Sequence, residues 1–462
     1  MDLQGMNAGS EARFAAYVEA LAGCLGHKDR VGSFRRYCVG LLLPGERKSV
    51  EPMAARLSPH RTAAEHQALL HFVGNAPWSD ERVLAKVREL VLPSIERSGE
   101  VEAWIVDDTS FPKKGRHSVG VARQYCGQLG KQENCQVAVT LSIANHAASL
   151  PVAWRLYLPE VWAEDPERRR KAHVPDDVGF ATKPEIALAQ IRAAVAAGIP
   201  RGTVLMDAGY GVHAGLRREI AALGLAYVAG IHPSTTVWPA GDPLEEGRRE
   251  PVGVKALALG LPAAAFSTVT WREGSADWLG SRYARVRVRT AHSGRGAPGP
   301  EEWLLVEWPE DAAEPAGYWL SSLPEDIPLA TLVDRAQLRW RIERDYQELK
   351  QELGLGHYEG RGWRGFHHHA TLCIAAYGFL VSERETIPPS APRTAPKLAK
   401  PAVSPGHRPR GAADPTRAAH AELDRDPPPP PRHRPRQSPR PMSLLPRATN
   451  TGAREEAAFM TQ

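Results

Sequence analysis

Three segments of this sequence place a carboxylate where a metal ion could be bound. Asp107 and Asp207 each end a short apolar run, and Glu343 lies on an amphipathic helical segment. Magnesium prefers oxygen ligands and keeps part of its water shell, so three carboxylates brought together by one sheet suit a hard divalent cation. The first chemistry that these residues suggest is therefore divalent metal binding.

The segment at residues 339–350 sorts its charges by angle. At about 100° per residue, Arg339, Glu343 and Lys350 fall within about 40° of one another on a helix. An apolar stripe adjoins them, formed by Leu338, Ile342, Tyr346, Leu349 and Leu353. The alternative is a surface helix with ordinary charge pairs, because Arg339 and Glu343 have the i,i+4 spacing.

The two aspartates require strands to position them. Residues 101–107 and 203–207 are rich in β-branched and aliphatic side chains, which predicts two short buried strands. A carboxylate at the end of a strand is also common as a turn or helix cap, so that interpretation stays open for each aspartate.

Neighbouring carboxylates compete for the same roles. On a helix, Glu348 lies about 140° and Glu352 about 180° from Glu343, so neither shares its face. Asp107 and Asp108 are adjacent on a strand and point to opposite sides, so only one of them can reach a shared metal site.

These motifs resemble those of insertion-sequence transposases of the DDE superfamily. One branch of that superfamily carries the signature Y-x2-R-x3-E-x6-K, and Arg339, Glu343 and Lys350 match its last three positions, whereas Ala336 occupies the tyrosine position. The run Asp-Asp-Thr-Ser at 107–110 resembles the first aspartate motif, and Asp207 the second. The resemblance extends from about residue 10 to about residue 405 and includes the sequence Trp-Arg-Gly-Phe-His-His-His at 363–369.

The resemblance implies a DDE transposase acting as a DNA endonuclease and strand transferase. Asp107, Asp207 and Glu343 would be both the catalytic residues and the ligands of two Mg²⁺ or Mn²⁺ ions. The family pattern favours Asp107 over Asp108, although the reverse assignment of this pair stays open. The reaction would be phosphodiester hydrolysis at the element ends, followed by strand transfer into target DNA.

Double-stranded DNA is the partner that the resemblance implies, as terminal inverted repeats and as target. Arg339, Lys350, Lys113 and Lys114 are the expected DNA-binding residues, and a homodimer is expected in the synaptic complex. A second basic segment, Arg168–Lys171, is expected in a loop. Three consecutive histidines, residues 367–369, would point in three directions on a helix, which disfavours a metal site there.

Two other functions remain open. A catalytically inactive, transposase-derived DNA-binding protein is possible in principle, but all three carboxylates are present. A glycoside hydrolase using two acids would need a sugar-binding cleft in place of basic loops.

The pattern along the chain favours a mixed α/β fold with a ribonuclease-H-like core. We predict a helical N-terminal domain at 1–98 that contacts DNA and a first part of the core at 99–231. A β-rich insertion at 232–325 and a second core part at 326–385, with the Glu343 helix, follow. Within the core, residues 182–185 have capping-box spacing and predict a helix to about residue 198.

The end of the chain has a different composition from the rest. Residues 388–462 hold 17 of the 40 prolines and few aromatic residues, which predicts a disordered tail at 386–462. A frameshifted or read-through origin is one hypothesis for it.

Composition is compatible with a DNA-binding enzyme. The formal charge is +5 and the pI about 8.9, which is mildly basic. The five cysteines have no zinc-type spacing, and reduced thiols are expected. The lack of a long apolar run or a signal pattern predicts a cytoplasmic, nucleoid-associated protein that is neither exported nor embedded in a membrane.

Overall fold

The computed structural model describes residues 8–239, 251–273, 278–290 and 299–386. These residues all belong to one of the two units into which the chain divides, residues 1–392. The predicted tail at 386–462 lies outside the described residues, apart from Thr386. None of the described helices is long and apolar enough to cross a membrane.

Helices make up most of residues 8–97. They are α1 (Ala8–Ala22), α2 (Asp29–Leu42), α3 (Val50–Leu57), α4 (Thr62–Gly74) and α5 (Asp80–Arg97). The chain then forms four strands, β1 (Ala103–Pro112), β2 (Ala122–Cys126), β3 (Lys131–Ala144) and β4 (Ser149–Leu156).

Helices and strands alternate next. In order they are α6 (Glu160–Ala163), α7 (Pro166–Ala172), α8 (Lys183–Ala196), β5 (Thr203–Met206), α9 (Ala208–Gly211), α10 (Ala214–Ala222) and β6 (Tyr227–Gly230). The predicted capping box opens α8, because the Thr182 side chain accepts from the Glu185 backbone N–H while the Glu185 carboxylate accepts from that of Thr182.

The remaining elements begin with the β-rich segment. They are β7 (Thr236–Pro239), β8 (Val252–Gly253), α11 (Val254–Leu259), β9 (Ser267–Glu273), β10 (Trp278–Thr290), β11 (Glu301–Glu307), β12 (Gly317–Ser321), α12 (Leu329–Leu338), α13 (Arg341–Gln351) and α14 (Trp363–Thr386).

The strands form one mixed sheet. Its order is β2-β3-β1-β5-β6-β12-β11-β10-β7-β8, with β4 beside β3 and β9 beside β10. β5 is parallel to both β1 and β6, whereas β1 is antiparallel to β3. The chain is therefore a mixed α/β protein built on a large mixed sheet.

The two faces of β1 pack against different helices. Trp104 and Val106 belong to the core that contains the N-terminal helices, α8 and α14. Ala103 and Ile105 belong to a second core, which includes Ile342 of α13. Since side chains alternate along a strand, the next odd-numbered residue of β1 faces α13 and the next even-numbered residue faces α8.

Three expectations were wrong. The first aspartate strand, expected at 101–107, runs from Ala103 to Pro112, so Asp107 lies in its middle and not at its end. Arg168–Lys171 lies in helix α7 rather than a loop, because Pro166 occupies the first turn and the Asp165 carboxylate caps the helix by accepting from the Arg168 backbone N–H. The helix predicted at 339–350 begins only at Arg341, because Arg339 and Trp340 form a turn between α12 and α13. There the Ile342 N–H donates to the Arg339 carbonyl, an i to i−3 bond that tightens the backbone.

Candidate active site

The structure brings Asp107 and Asp207 together where the pairing of β1 with β5 ends, in the interior of the sheet. β1 and β5 run parallel, and Val106 pairs with Met206 at the end of their shared register. Leu205 packs in the same core as Ile105, so the alternation of side chains directs both aspartates toward the face covered by α13. The backbone of Asp207 is still extended, with φ −79° and ψ −177°.

The Asp107 carboxyl group lies in an environment that disfavours its charge. Its side chain is 16% exposed, and Arg339 Nη1 lies 3.1 Å from its Oδ2. Burial raises the pKa of Asp107 to about 7, against the effect of Arg339 and with further increases from the negative charges of Asp207 and Asp108. The two aspartates are thus close enough to repel each other, a repulsion that a bound cation would relieve.

Asp108 has partners of its own on the opposite face of the strand. Lys183 Nζ, at the start of α8, lies 2.8 Å from Asp108 Oδ2, and the Tyr210 hydroxyl donates to the same oxygen at 3.4 Å. Its negative charge is therefore balanced by a lysine. Lys183 and Tyr210 are separated from Asp108 by 75 and 102 residues, so no local pattern in the sequence indicated this arrangement.

Asp207 is also a helix cap, as one of the sequence interpretations allowed. Its Oδ1 accepts from the Tyr210 backbone N–H at 3.3 Å at the start of α9. The turn needs glycine, because a Cβ on Gly211 would lie 2.0 Å from the carbonyl oxygen of Gly230 in β6. Capping and metal binding are compatible, since a carboxylate has a second oxygen.

Glu343 lies on the face of α13 that covers β1. Three residues after it, Tyr346 hydrogen-bonds Thr140, which pairs with Asp107 in the β1–β3 register. Seven residues after it, Lys350 Nζ donates to the Ser110 carbonyl at 3.1 Å. Glu343 itself is exposed. Among the described residues, its carboxylate forms no hydrogen bond or ion pair and is therefore available to a ligand.

The opposite face of α13 is fixed by a buried carboxyl group. Asp345 accepts hydrogen bonds from Ser149 of β4 and from the Tyr377 hydroxyl of α14, the latter at 2.8 Å. Burial raises its pKa to about 6. Sequence analysis did not identify Asp345, because its importance depends on elements distant in the chain.

The four predicted DNA-binding residues have different environments. Arg339 pairs with Asp107, and Lys350 lies 5.3 Å from the centre of the Phe111 ring. Lys113 is partly buried and donates to the Tyr358 carbonyl at 2.9 Å, whereas Lys114 is exposed. Burial lowers the pKa of Lys113 and of Lys350.

The three consecutive histidines point in different directions, as predicted. His367 accepts from the Leu156 N–H, His368 contacts the Val73 and Trp78 carbonyls, and His369 contacts Tyr37 and Gly354. All three are buried. They join α14 to surrounding elements and do not converge on one point.

A second group suited to a cation was missed. Glu102, His146 and Asp334 offer ligand atoms within 4.8 Å of one another, at the opposite end of β1 from Ser110. Arg335 already forms an ion pair with Glu102, and His146 Nε2 lies 3.0 Å from Asp334 Oδ2. These residues come together only through folding, so their spacing in the sequence carried no signal.

Comparison with known proteins gives an independent result. Residues 20–277 match the protein-family model described as DDE superfamily endonuclease. A probable transposase for insertion sequence element IS701, from Microchaete diplosiphon, is 30% identical to the chain over 179 residues. That similarity covers 39% of this chain and 43% of the relative.

The chain thus spans less than half the length of this curated relative. The family match is broader, since it includes more than half of the chain and both Asp107 and Asp207. Enzymes of this superfamily use divalent metal ions, and the oxygen donors of Asp107 and Asp207 fit such an ion. The chain belongs to the DDE superfamily of endonucleases.

Proposed function

We propose that this chain is an insertion-sequence DNA transposase with a ribonuclease-H-like core. It hydrolyses phosphodiester bonds at the terminal inverted repeats of its element and transfers the freed ends into target DNA, with two copies forming the synaptic complex. The observation that carries the proposal is the alternation of side chains on β1 and β5. It supports an orientation of Asp107 and Asp207 toward the sheet face that α13, the helix that carries Glu343, covers.

Asp107, Asp207 and Glu343 would hold Mg²⁺ or Mn²⁺. The donor set supports this assignment, because it supplies carboxylate oxygens alone and two of the carboxyl groups already repel each other. When bound, two such ions activate a water molecule and stabilise the departing oxygen of the cleaved bond.

Basic residues around the three carboxylates support DNA binding at this site. Arg339 lies beside Asp107, where a guanidinium can bind a phosphate with two hydrogen bonds. Lys350 holds α13 to the continuation of β1 through Ser110, and Lys114 is exposed to solvent three residues after Phe111. Lys183 balances Asp108, which leaves Asp107 as the carboxylate of this pair that faces α13.

The test is cleavage of the element's own terminal DNA in Mg²⁺ by the native chain, Glu343→Ala and Glu352→Ala. Glu352 is exposed at the end of α13 and lies about 180° from Glu343. It is a better control than Glu348, which forms ion pairs with Arg344 and Arg384.

We expect the native chain and Glu352→Ala to cleave, and Glu343→Ala to bind the DNA without cutting it. Equal cleavage by Glu343→Ala would overturn the assignment of this glutamate. Binding without cleavage by the native chain would instead indicate a catalytically inactive DNA-binding protein.

A further inference from the structure

The β2–β3 hairpin presents large apolar side chains to solvent beside the candidate active site. We define it as residues 122–135, with its turn at Gly127–Gly130. Tyr125 is 58% exposed and Leu129 is 45% exposed. Neither side chain contributes to the core. Single exposed apolar side chains are common on protein surfaces, so the case for a partner depends on where the hairpin is attached and on the charge around it.

The hairpin is attached to the same segment of β1 that carries Asp107. The Ser110 hydroxyl oxygen accepts from the Gln128 backbone N–H at 3.1 Å and from the Cys126 thiol at 3.3 Å. The Ser110 carbonyl oxygen accepts from Lys350 of α13. Ser110 follows Asp107 by three residues, about 10 Å along a strand, so the hairpin turn and the Glu343 helix meet at one residue near the site.

Buried side chains on one face of the hairpin fix its orientation. Cys126, Cys135 and Val137 form a small buried cluster against which Tyr157 packs. In the β2–β3 register, Tyr125 pairs with Gln132 and Arg123 pairs with Asn134. Arg123 and Tyr125 are two residues apart, so both project from the face opposite to Cys126.

The charge of this region is positive and therefore complementary to that of DNA. Between Thr109 and Cys135 the chain has one acidic residue, Glu133, and five basic residues, namely Lys113, Lys114, Arg116, Arg123 and Lys131. Lys131 Nζ lies 3.4 Å from Glu133 Oε2, so the other four basic residues supply the excess positive charge. Four of the five are exposed, Lys113 being partly buried. A basic surface that also carries an exposed aromatic ring is the combination by which proteins bind nucleic-acid strands whose bases are accessible.

We propose that the hairpin holds the DNA end during cleavage, with Tyr125 stacked on a nucleobase next to the cut and Arg123 on a backbone phosphate. The proposal rests on the proposed transposase function and adds a residue that recognises the DNA itself. It needs no metal ion, so binding can be measured without the reaction.

The test uses the full chain and terminal-repeat DNA carrying 2-aminopurine at its last base pairs, without divalent metal. Tyr125→Ala is compared with Tyr125→Phe, which keeps the ring, and with Leu259→Ala, which removes an exposed apolar side chain of α11. Affinity is measured by fluorescence anisotropy, and base stacking by the 2-aminopurine emission.

We expect Tyr125→Ala to weaken binding about tenfold, within the range of one lost base stack, and to abolish the 2-aminopurine change that the native chain produces. Tyr125→Phe and Leu259→Ala should behave like the native chain. Arg123→Ala should reduce the slope of log affinity against log salt by about one.

The two proposals fail in different ways. If Tyr125→Ala binds and stacks like the native chain while the native chain cleaves DNA in Mg²⁺, the role of the hairpin is overturned and the transposase function stands. If Tyr125→Phe loses affinity as much as Tyr125→Ala, the hydroxyl group acts instead of the ring. Failure of the native chain to bind terminal DNA overturns both proposals, whereas binding without cleavage overturns the transposase activity alone.

Discussion

Asp107 and Asp108 are adjacent in the chain but have different partners. Asp107 lies against Arg339 and near Asp207, whereas Asp108 pairs with Lys183 on the other face of β1. We therefore expect Asp107→Asn to lose Mn²⁺ binding and to slow DNA cleavage at least about a hundredfold, because a catalytic metal supplies several kcal/mol. Asp108→Asn should retain Mn²⁺ binding.

Mn²⁺ titration followed by electron paramagnetic resonance measures both variants. The measurements are made in a His146→Ala background, because Glu102, His146 and Asp334 form a second group able to bind a cation. Loss of Mn²⁺ binding in Asp108→Asn together with normal binding in Asp107→Asn would reverse the assignment.

At the residue scale, the sequence indicated the carboxylates as candidates but not their surroundings. Asp107 and Asp207 each follow a run of apolar residues, which is a local pattern, although β1 continues beyond Asp107 to Pro112. The ion pair between Lys183 and Asp108 joins residues 75 positions apart. It exists because α8 crosses the sheet face behind β1, which no local pattern specifies.

At the element scale, α13 is held from both sides. Its back face depends on Asp345, which is buried. Within the described part of the chain, Ser149 and Tyr377 are its hydrogen-bond donors and its Oδ2 has no hydrogen-bond partner. We expect Tyr377→Phe to lower the free energy of unfolding by about 1–3 kcal/mol, because it removes a donor from a buried acceptor. Tyr125→Phe is the matched control, since its hydroxyl is exposed. Equal unfolding of both variants in urea would contradict this account of α13.

The turn after Asp207 depends on the close approach of α9 to β6. A Cβ at Gly211 would lie 2.0 Å from the Gly230 carbonyl oxygen, whereas a Cβ at Gly215, in α10, would meet nothing within 4 Å. We expect Gly211→Ala to destabilise the protein by about 1–3 kcal/mol through overpacking. Gly215→Ala should stabilise it by about 0.4–1 kcal/mol, because the unfolded chain loses entropy. Thermal unfolding of the two variants measures both effects, and shifts of the same sign would contradict them.

Local signals explain which elements were predictable. The capping box at Thr182 was predicted correctly because its hydrogen bonds connect residues only three positions apart. The division between α12 and α13 was missed because the residues around Arg339 continue the helical pattern without proline or glycine. The order of the strands likewise depends on crossovers, so the sequence indicated a mixed sheet without giving its arrangement.

At the scale of the whole molecule, the positive charge is unevenly distributed. Residues 387–462 contain 13 lysines and arginines against six aspartates and glutamates. The whole chain has 58 against 53, so residues 1–386 retain 45 basic residues against 47 acidic ones. The net positive charge of the protein therefore comes from the segment beyond the described residues.

The first and last described helices, α1 and α14, contact each other. Arg13 of α1 forms an ion pair with Glu383 of α14, with Arg13 Nε 2.6 Å from Glu383 Oε1, and α14 packs against α2, α4 and α5. We expect a chain ending at Thr386 to unfold in urea at the same midpoint as the full chain. Its DNA affinity at low salt should fall, and the slope of log affinity against log salt should decrease, because fewer counterions are released from DNA.

The full chain provides the comparison, with one variant that separates charge from length. Replacing the 13 lysines and arginines of residues 387–462 by glutamine keeps the length and removes the basic charge. If this variant binds DNA like the full chain while the truncated chain does not, the segment acts through something other than charge. If both variants show the same decrease in the slope of log affinity against log salt and still cut the terminal DNA, residues 387–462 attract DNA through their charge alone. The residues around Asp107 and the hairpin then determine where the DNA is cut.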